Sequence, residues 1–335
     1  MVNQRPVILN YRAKHSLLKN MNKKVIRKRL LSIIPTLIGV SLLLFLLLKL
    51  SPGDPVHMIV GERASEEIIE KYREKLHLDK PFFVQYIYYM KMLAKGDFGR
   101  SYFTNEDVFD QLLQKLPNTL ILATMSMIFG TFMGIFLGIL ASIKRGGVVD
   151  KVLSSASILL ISTPVFWTAI MLIFIFSIIL DWMPASSMGD QGIKSFILPA
   201  FVLGSRSAGY IARLTRSSMI DALSSDYIQT AYAKGISKRN VIIRHAFKNC
   251  LIPVVTLIGI DFGSYLNGSV LTEKIFGIDG IGRFGINAIF KRDMPEIMGT
   301  VMIGAFIFII VNLLVDLLYF KLDPRVAGST AQEAL

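Results

Sequence analysis

The residues with the most scope for chemistry lie in one polar stretch, DYIQTAYAKGISKRNVIIRHAFKN, which covers residues 226–249 between two strongly apolar segments. Capping residues predict its shape, because Ser224 or Ser225 can begin a helix and Gly235 can end it in the left-handed conformation. A second helix begins at Ser237, and its apolar stripe is formed by Val241, Ile242, His245 and Ala246. The cations of the stretch are Lys234, Lys238, Arg239, Arg244 and Lys248. Such a helix–turn–helix unit is either a rigid surface to which another protein binds or an ordinary basic loop.

Charges inside apolar segments are the second chemical signal. Asp261 lies about midway along one apolar segment, while Arg206 and Arg213 interrupt another. Charged side chains are costly in a membrane interior and mark either transport pathways or internal pairs. Asp261 is therefore a pathway anion that meets the amino group of a substrate, with Arg206 on the same pathway, or it is satisfied by an arginine or a water-filled crevice. Of the two interpretations, the internal partner or crevice is preferred.

Motifs for catalysis, metal binding and ATP hydrolysis are absent from the sequence. There is no G-x-x-x-x-G-K-[ST] phosphate loop, and the four histidines are scattered without metal-ligand spacing. The string GIGRFG, residues 280–285, matches a dinucleotide-binding pattern but follows no strand, so we interpret its glycines as flexible turn residues. The sequence therefore predicts no enzyme, no catalytic residue, no metal site and no cofactor bound by this chain.

Long apolar blocks show which elements must position these groups. The chain has 335 residues, of which 53% are hydrophobic, and residues 30–48 carry no charge. About 20 apolar residues in a helix cross the hydrocarbon core of a bilayer. We therefore predict an all-α integral membrane protein with six transmembrane helices, the third kinked at Pro164. The predicted crossings are 30–50, 120–143, 153–180, 195–214, 250–271 and 297–320.

The distribution of Lys and Arg predicts the orientation of these helices. The formal charge of +13 does not indicate nucleic-acid binding, because the cations cluster beside apolar blocks, as the positive-inside rule expects of cytoplasmic segments. The cytoplasmic parts are then the basic tail 1–29, the loops 144–151 and 215–248, and the tail 321–335, and the even number of crossings places both termini in the cytoplasm. Residues 51–119 form an extracellular helical subdomain, and residues 120–320 form the five-helix core. A secretory signal peptide is disfavoured because the first apolar block is too long.

A glycine repeat in the second crossing predicts close helix packing. Gly130, Gly134 and Gly138 recur every four residues and so share one helix face. In the subdomain, Ser65 is expected to cap a first amphipathic helix, and an aromatic-rich second helix starts near Pro81.

The stretch DYIQTAYAKGISKRNVIIRHAFKNCLIPVV resembles the cytoplasmic loop of binding-protein-dependent ABC importer permeases of the oligopeptide/dipeptide/nickel branch. The broader group has Glu-Ala-Ala where this chain has Gln229, Thr230 and Ala231, whereas the peptide branch matches QTAYAKG more closely. The segments IIPTLIGVSLLLFLLLKLSPGDP, GDFGRSY, LPNTLILA and LDPRV are similar to the same branch in the same order. The resemblance covers about residues 25 to 326.

The resemblance implies a type I ABC importer permease in a bacterial or archaeal cell membrane. Such a subunit is half of an alternating-access pore, working with a homologous second permease, two ATPase subunits that bind ATP and Mg, membrane lipid and an extracellular solute-binding protein. The loop would be the coupling helix that docks on one ATPase. Its expected contacts are Tyr227, Gln229, Thr230, Ala231, Lys234 and Gly235.

The expected substrate is a di- or oligopeptide. The branch also handles nickel, glutathione-like compounds and oligosaccharides, which stay open as alternatives. A secondary transporter is a different class of candidate, but it would typically show an inverted repeat, and none is evident. An enzyme or a receptor lacks support, since the sequence shows neither a catalytic set nor a long cytoplasmic domain.

Overall fold

The computed structural model describes residues 31, 33–50, 55–61, 63–186, 192–266 and 269–322. Helices account for most of these residues, and no strand longer than an isolated bridge occurs among them. The predicted tail 1–29 and nearly all of the tail 321–335 lie outside the described residues. The all-α fold class is confirmed.

The first four helices form one end of the molecule, which we call the subdomain end. They are α1 (Ile33–Leu50), α2 (Pro55–Val60), α3 (Glu66–Lys75) and α4 (Phe82–Ala94). Ser65 is the N-cap residue of α3, and Pro81 precedes α4, as the sequence predicts. Helix α4 packs antiparallel against α1, because Phe45 contacts Phe82 at a ring-centroid distance of 5.3 Å and Ser41 Oγ lies 2.9 Å from Tyr86 Oη.

Two long parallel helices form the centre of the fold, α5 (Val108–Ile143) and α8 (Ile197–Leu223). Helix α5 has 36 residues, which at about 1.5 Å per residue exceeds the hydrocarbon thickness of about 30 Å. It therefore extends from the subdomain end through the bundle in one piece. It begins at Val108, so residues 108–119 of the predicted subdomain belong to this helix.

The glycine repeat of α5 is in direct contact with α8, which confirms the helix-packing prediction. A Cβ atom added at Gly134 would lie 2.6 Å from Cβ of Ile211 and 2.8 Å from the carbonyl oxygen of Ala208. Added Cβ atoms at Gly130 and Gly138 would lie equally close to the backbone of α8. Since real Cβ atoms do not approach so closely, each position requires glycine for this helix separation.

The predicted third crossing is broken rather than kinked. It consists of α6 (Val148–Ser162) and α7 (Val165–Leu172), which continues as a π-helix over Ile173–Ile179. The two halves meet at an angle of 103°. Pro164 lacks a backbone N–H, and it holds Thr163 in extended backbone with ψ of 129°, so the helix stops before the proline and restarts after it.

The remaining helices are α9 (Asp226–Ala233), α10 (Lys238–Asn240), α11 (Phe247–Leu266), α12 (Val270–Phe276), α13 (Ile281–Lys291) and α14 (Met294–Leu322). Of these, α9 to α13 return the chain to the subdomain end, where α14 begins. Among the described residues, three helices are long and apolar enough to cross a membrane, or up to five when each bent pair is taken as one span. Helix α8 is not one of them, because its arginines lower its apolar character, so the count of six crossings stays a prediction.

The glycines of GIGRFG are buried, and Gly282 and Gly285 lie within helix α13, so their interpretation as flexible turn residues is wrong. Gly280 is the N-cap residue of α13, and the buried Glu273 carboxylate lies against the start of that helix. Glu273 Oε2 accepts a hydrogen bond from the backbone N–H of Arg283 at 2.8 Å, and Thr119 Oγ1 donates to Glu273 Oε1 at 3.0 Å. The anion that a helix N-terminus favours is therefore supplied by the chain itself.

Candidate functional site

Helix α9 projects from the end of the bundle opposite the subdomain, and it ends where the sequence predicts. Gly235 has φ of +76°, and its N–H donates to the carbonyl of Tyr232 at 2.9 Å. The N–H of Ile236 donates to the carbonyl of Ala231 at 3.2 Å, which completes a Schellman motif. Glycine adopts this left-handed backbone without the steric penalty that a Cβ atom brings.

The whole 226–249 stretch is held as one unit by a small apolar core. Ser237 begins the second helical part, which runs through a π-helix over Val241–Ala246 directly into α11. The core joins the end of α8, both helical parts of the stretch and the start of α11, through Met219, Ile228, Ala231, Val241, Ala246 and Cys250. Because these contacts connect both ends of α9 to membrane helices, α9 cannot move without displacing α8 and α11.

The structure separates the predicted contact residues of α9 into two groups. Tyr227, Gln229, Thr230, Lys234 and Gly235 are exposed and available to a partner. Ala231 is only 5% exposed and packs inside the loop core, so its predicted role as an outward contact is wrong in this structure. Helical periodicity alone leaves the direction of the core undetermined, which explains the error.

Sequence reasoning missed Tyr232 as a surface residue. Its side chain is 43% exposed, close to the 42% of Tyr227, and the two tyrosines lie on the same short helix. The Tyr227 hydroxyl accepts a hydrogen bond of 2.7 Å from Asn249 Nδ2, which orients its ring. Two exposed tyrosines on a rigid helix are typical anchors of a protein interface. The signal in the sequence was the aromatic pair itself within DYIQTAY.

The exposed residues of α8 form one continuous face that changes from apolar to polar. Near the subdomain end the face carries Ile197 and Phe201. From the middle of the helix to its end it carries Arg206, Tyr210, Arg213, Ser217 and Asp221, and it leads directly into α9. We call these five residues the polar face of α8. Such a face is too costly in contact with lipid, so it adjoins either water or another protein.

Asp261 lies beside this polar face. Its Oδ2 atom is buried and has no hydrogen-bond partner among the described residues, and no ion pair joins it to Arg206 or Arg213 within that part of the chain. Arg206 and Ser207 are nevertheless close enough to interact electrostatically with the carboxyl group. The Ser207 hydroxyl is hydrogen-bonded to the Tyr265 hydroxyl, so α8 and α11 meet in a polar cluster. A direct ion pair with Arg206 or Arg213 is therefore not formed among the described residues, while the water-filled crevice of the preferred interpretation and the pathway role both stay open.

A second polar contact near α9 has no counterpart in the sequence analysis. The Arg216 guanidinium donates two hydrogen bonds to the Asp150 carboxylate, from Nε at 2.6 Å and from Nη2 at 2.7 Å. The backbone N–H of Gly146 donates to the same carboxylate at 2.9 Å. This bidentate pair fixes the start of α6 to the end of α8, and because 66 residues separate its members, no local motif indicates it.

No group of three or more His, Cys, Asp or Glu side chains that could hold a metal ion occurs in the described part of the chain. The site offers two surfaces for binding, the exposed tyrosines of α9 and the polar face of α8.

Comparisons with known proteins give matches over most of the chain. Residues 130–328 match the family described as binding-protein-dependent transport system inner membrane component, and residues 21–123 match its N-terminal family. The di/tripeptide transport system permease protein DppB of Pseudomonas aeruginosa is 39% identical, covering 90% of this chain and 98% of that protein. The glutathione transport system permease protein GsiC of Escherichia coli K12 is 38% identical, covering 89% and 97%. Among solved structures, the inward-facing MetNI methionine ABC transporter has a TM-score of 0.54 at 16% identity, covering 64% of this chain and 97% of that one, which supports the fold.

Proposed function

This chain belongs to the family of binding-protein-dependent transport system inner membrane components, and we propose that it couples ATP use by partner subunits to the movement of a peptide through the membrane. It is a multi-pass membrane permease of the ABC importer class. In the proposal, α9 faces the cytoplasm and receives an ATPase subunit, whereas the subdomain end faces a solute-binding protein outside. A homologous permease completes the pathway.

The polar face of α8 is the observation that carries the proposal. Its five residues are exposed in the single chain, although they lie on a helix at the centre of an apolar bundle. A second permease packed against this chain would enclose the face and turn it into the wall of a hydrated pathway. The face ends at α9, so a movement of α9 is applied directly to the helix that lines the pathway.

Coupling follows from the rigidity of the α9 unit. An ATPase that binds Tyr227, Tyr232 and Lys234 displaces α9. The apolar core of the 226–249 stretch transmits that displacement to α8 and α11. The Asp150–Arg216 pair extends the moving body to α6, and the glycine contacts extend it to α5. Packed helices of this kind move as rigid bodies between two discrete states, which is what alternating access requires.

Peptide is the proposed substrate class. The relatives named above carry di/tripeptides and glutathione, which are short zwitterionic molecules with amide bonds. Arg206 on the polar face and Asp261 beside it present opposite charges, so an ammonium group and a carboxylate group could each find a complementary partner there. Asp261 is thus proposed as a pathway residue for the amino terminus of the peptide.

Co-purification and uptake test the proposal. The full-length chain, expressed with the other subunits of its transporter, should retain the ATPase subunits, and peptide uptake should depend on ATP. The double substitution Tyr227→Ala with Tyr232→Ala should weaken both properties. Tyr88→Ala is the matched control, since Tyr88 is 47% exposed at the subdomain end and should leave ATPase retention unchanged. Full ATPase retention by the double variant would refute α9 as the docking element.

A further inference from the structure

A cavity of about 630 Å³ lies between α3, α4, the end of α1 and the start of α14. Its volume is within the range of about 300–1,000 Å³ that small-molecule sites occupy. The cavity is at the subdomain end, far from α9 and the polar face of α8, so neither transport nor coupling as described above uses it. Its apolar wall includes Phe45, Leu48, Met92, Phe98 and Met298.

The charged side chains that line the cavity are all cationic. Lys49, Arg73, Lys75 and Arg100 line it, and none of the described lining residues is Asp or Glu. Arg73 also approaches Glu70 at 3.5 Å, and Arg100 Nη1 donates to the carbonyl of Asn105 at 3.3 Å. Lys49 lies in the last turn of α1, at the end of a membrane-spanning segment. The cavity therefore favours a ligand that carries negative charge.

Tyr89 adds an unsatisfied donor to this lining. Its hydroxyl is buried and has no hydrogen-bond partner among the described residues, although its ring stacks against Phe45 at a centroid distance of 6.4 Å. Buried hydroxyls are almost always hydrogen-bonded, so an orphaned one in a cavity wall indicates a missing acceptor. An oxygen atom of a bound ligand would supply it.

The position of the cavity relates it to the membrane. Helices α1 and α14 are both apolar enough to span a bilayer, and the cavity lies where α1 ends and α14 begins. The outer face of α1 exposes Leu43, Leu46, Leu47 and Leu50, which is an apolar surface suited to contact with acyl chains up to the level of the cavity. A bilayer lipid can therefore reach the apolar wall with its chain while its headgroup stays at the polar surface.

We propose that this cavity binds one anionic phospholipid, with an acyl chain against the apolar wall and the phosphate among the four cations. Both features are needed to select this occupant. A soluble anion gains nothing from the apolar wall, and a zwitterionic lipid gains less from a site without acidic groups. The bound lipid would connect α3 and α4 to the end of α1 and the start of α14.

Native mass spectrometry of the intact transporter tests the proposal. The complex, extracted in mild detergent, is titrated with phosphatidylglycerol, with phosphatidylcholine of the same acyl chains, and with inorganic phosphate. We expect one tightly held phosphatidylglycerol per copy of this chain, weaker binding of phosphatidylcholine and no displacement by phosphate. Leu48→Trp, which fills the cavity, should remove the bound lipid.

Two pairs of lysine substitutions separate cavity charge from general surface charge. Lys49→Gln with Lys75→Gln removes two cations that line the cavity, whereas Lys71→Gln with Lys91→Gln removes two exposed cations of α3 and α4 that do not. The first pair should weaken phosphatidylglycerol binding by at least about tenfold, and the second by much less. Equal weakening by both pairs, equal binding of the two lipids, or no retained lipid would overturn the proposal. Unchanged co-purification of the other subunits shows that each variant is folded.

Discussion

Replacing Gly235 by Ala should impair coupling through backbone strain alone. Gly235 has φ of +76°, and an added Cβ atom would meet nothing within 4 Å, so the substitution causes no steric overlap. A non-glycine residue in the left-handed region costs about 1–2 kcal/mol. This cost lowers the equilibrium ratio of molecules whose α9 terminus is ordered to molecules whose α9 terminus is frayed by a factor of about 5–30.

Gly96 provides a control with the same geometry at the opposite end of the molecule. It has φ of +79°, it also has nothing within 4 Å of an added Cβ, and it ends α4 in the same Schellman motif. The N–H of Gly96 donates to the carbonyl of Leu93 at 2.9 Å, and that of Asp97 to the carbonyl of Met92 at 3.1 Å. Gly96→Ala should therefore add the same backbone strain to the Schellman motif at the end of α4 without affecting α9.

Hydrogen exchange and transport assays measure the two effects separately. The amide of Ile236 should exchange about 5–30 times faster in Gly235→Ala, and the amide of Asp97 should do so in Gly96→Ala. In proteoliposomes, only Gly235→Ala should lower peptide uptake per ATP hydrolysed. Gly235→Asn should be milder, because asparagine tolerates the left-handed region, and Gly235→Pro should abolish uptake while the protein stays inserted.

Two results would refute this reasoning. If Gly235→Ala and Gly96→Ala reduce coupling equally, the loss reflects general destabilisation rather than the α9 contact. If the Ile236 amide exchanges faster but uptake per ATP is unchanged, the order of the α9 terminus is irrelevant to transport.

Three further predictions concern packing, protonation and the pathway. Gly134→Leu should lower the melting temperature in detergent, since overpacking of a close contact costs about 1–3 kcal/mol, whereas Gly39→Leu, with nothing within 4 Å of its added Cβ, should not. Burial raises the pKa of Glu273 above the usual value of a glutamate, because the charged form is penalised in the folded state. The free energy of unfolding that this group contributes should therefore fall as pH rises above the usual value. If the Glu273→Gln variant shows the same dependence of stability on pH as the original protein, this prediction is contradicted. Asp261→Asn should reduce the preference for peptides with a free amino terminus over N-terminally blocked ones, and an unchanged preference would remove Asp261 from the pathway.

Local signals in the sequence predict the features that depend on neighbouring residues. Gly235 ends α9 and Ser237 begins the next helical part because both effects act within one helical turn. The Gly130, Gly134 and Gly138 repeat predicts a close contact because its spacing places three small residues on one face. In each case the physical cause lies within a few residues of the signal.

Features that depend on distant parts of the chain could not be predicted. The inward direction of Ala231 is set by Met219 and Val241, which lie on other helices. The Asp150–Arg216 pair and the Glu273 contact with the start of α13 join residues that the fold alone brings together. Pro164 indicates a bend, but the angle of 103° depends on what α6 and α7 pack against.

The continuous length of α5 has a thermodynamic consequence for the intact transporter. One helix joins the subdomain end to the region that packs on α8, with Pro117 as the only proline within it. If a protein that binds the subdomain end changes the affinity of α9 for an ATPase by some factor, the ATPase must change the affinity of the subdomain end by the same factor. Affinities measured separately on the two sides of the membrane must therefore agree on one coupling free energy, and this equality can be checked without observing transport.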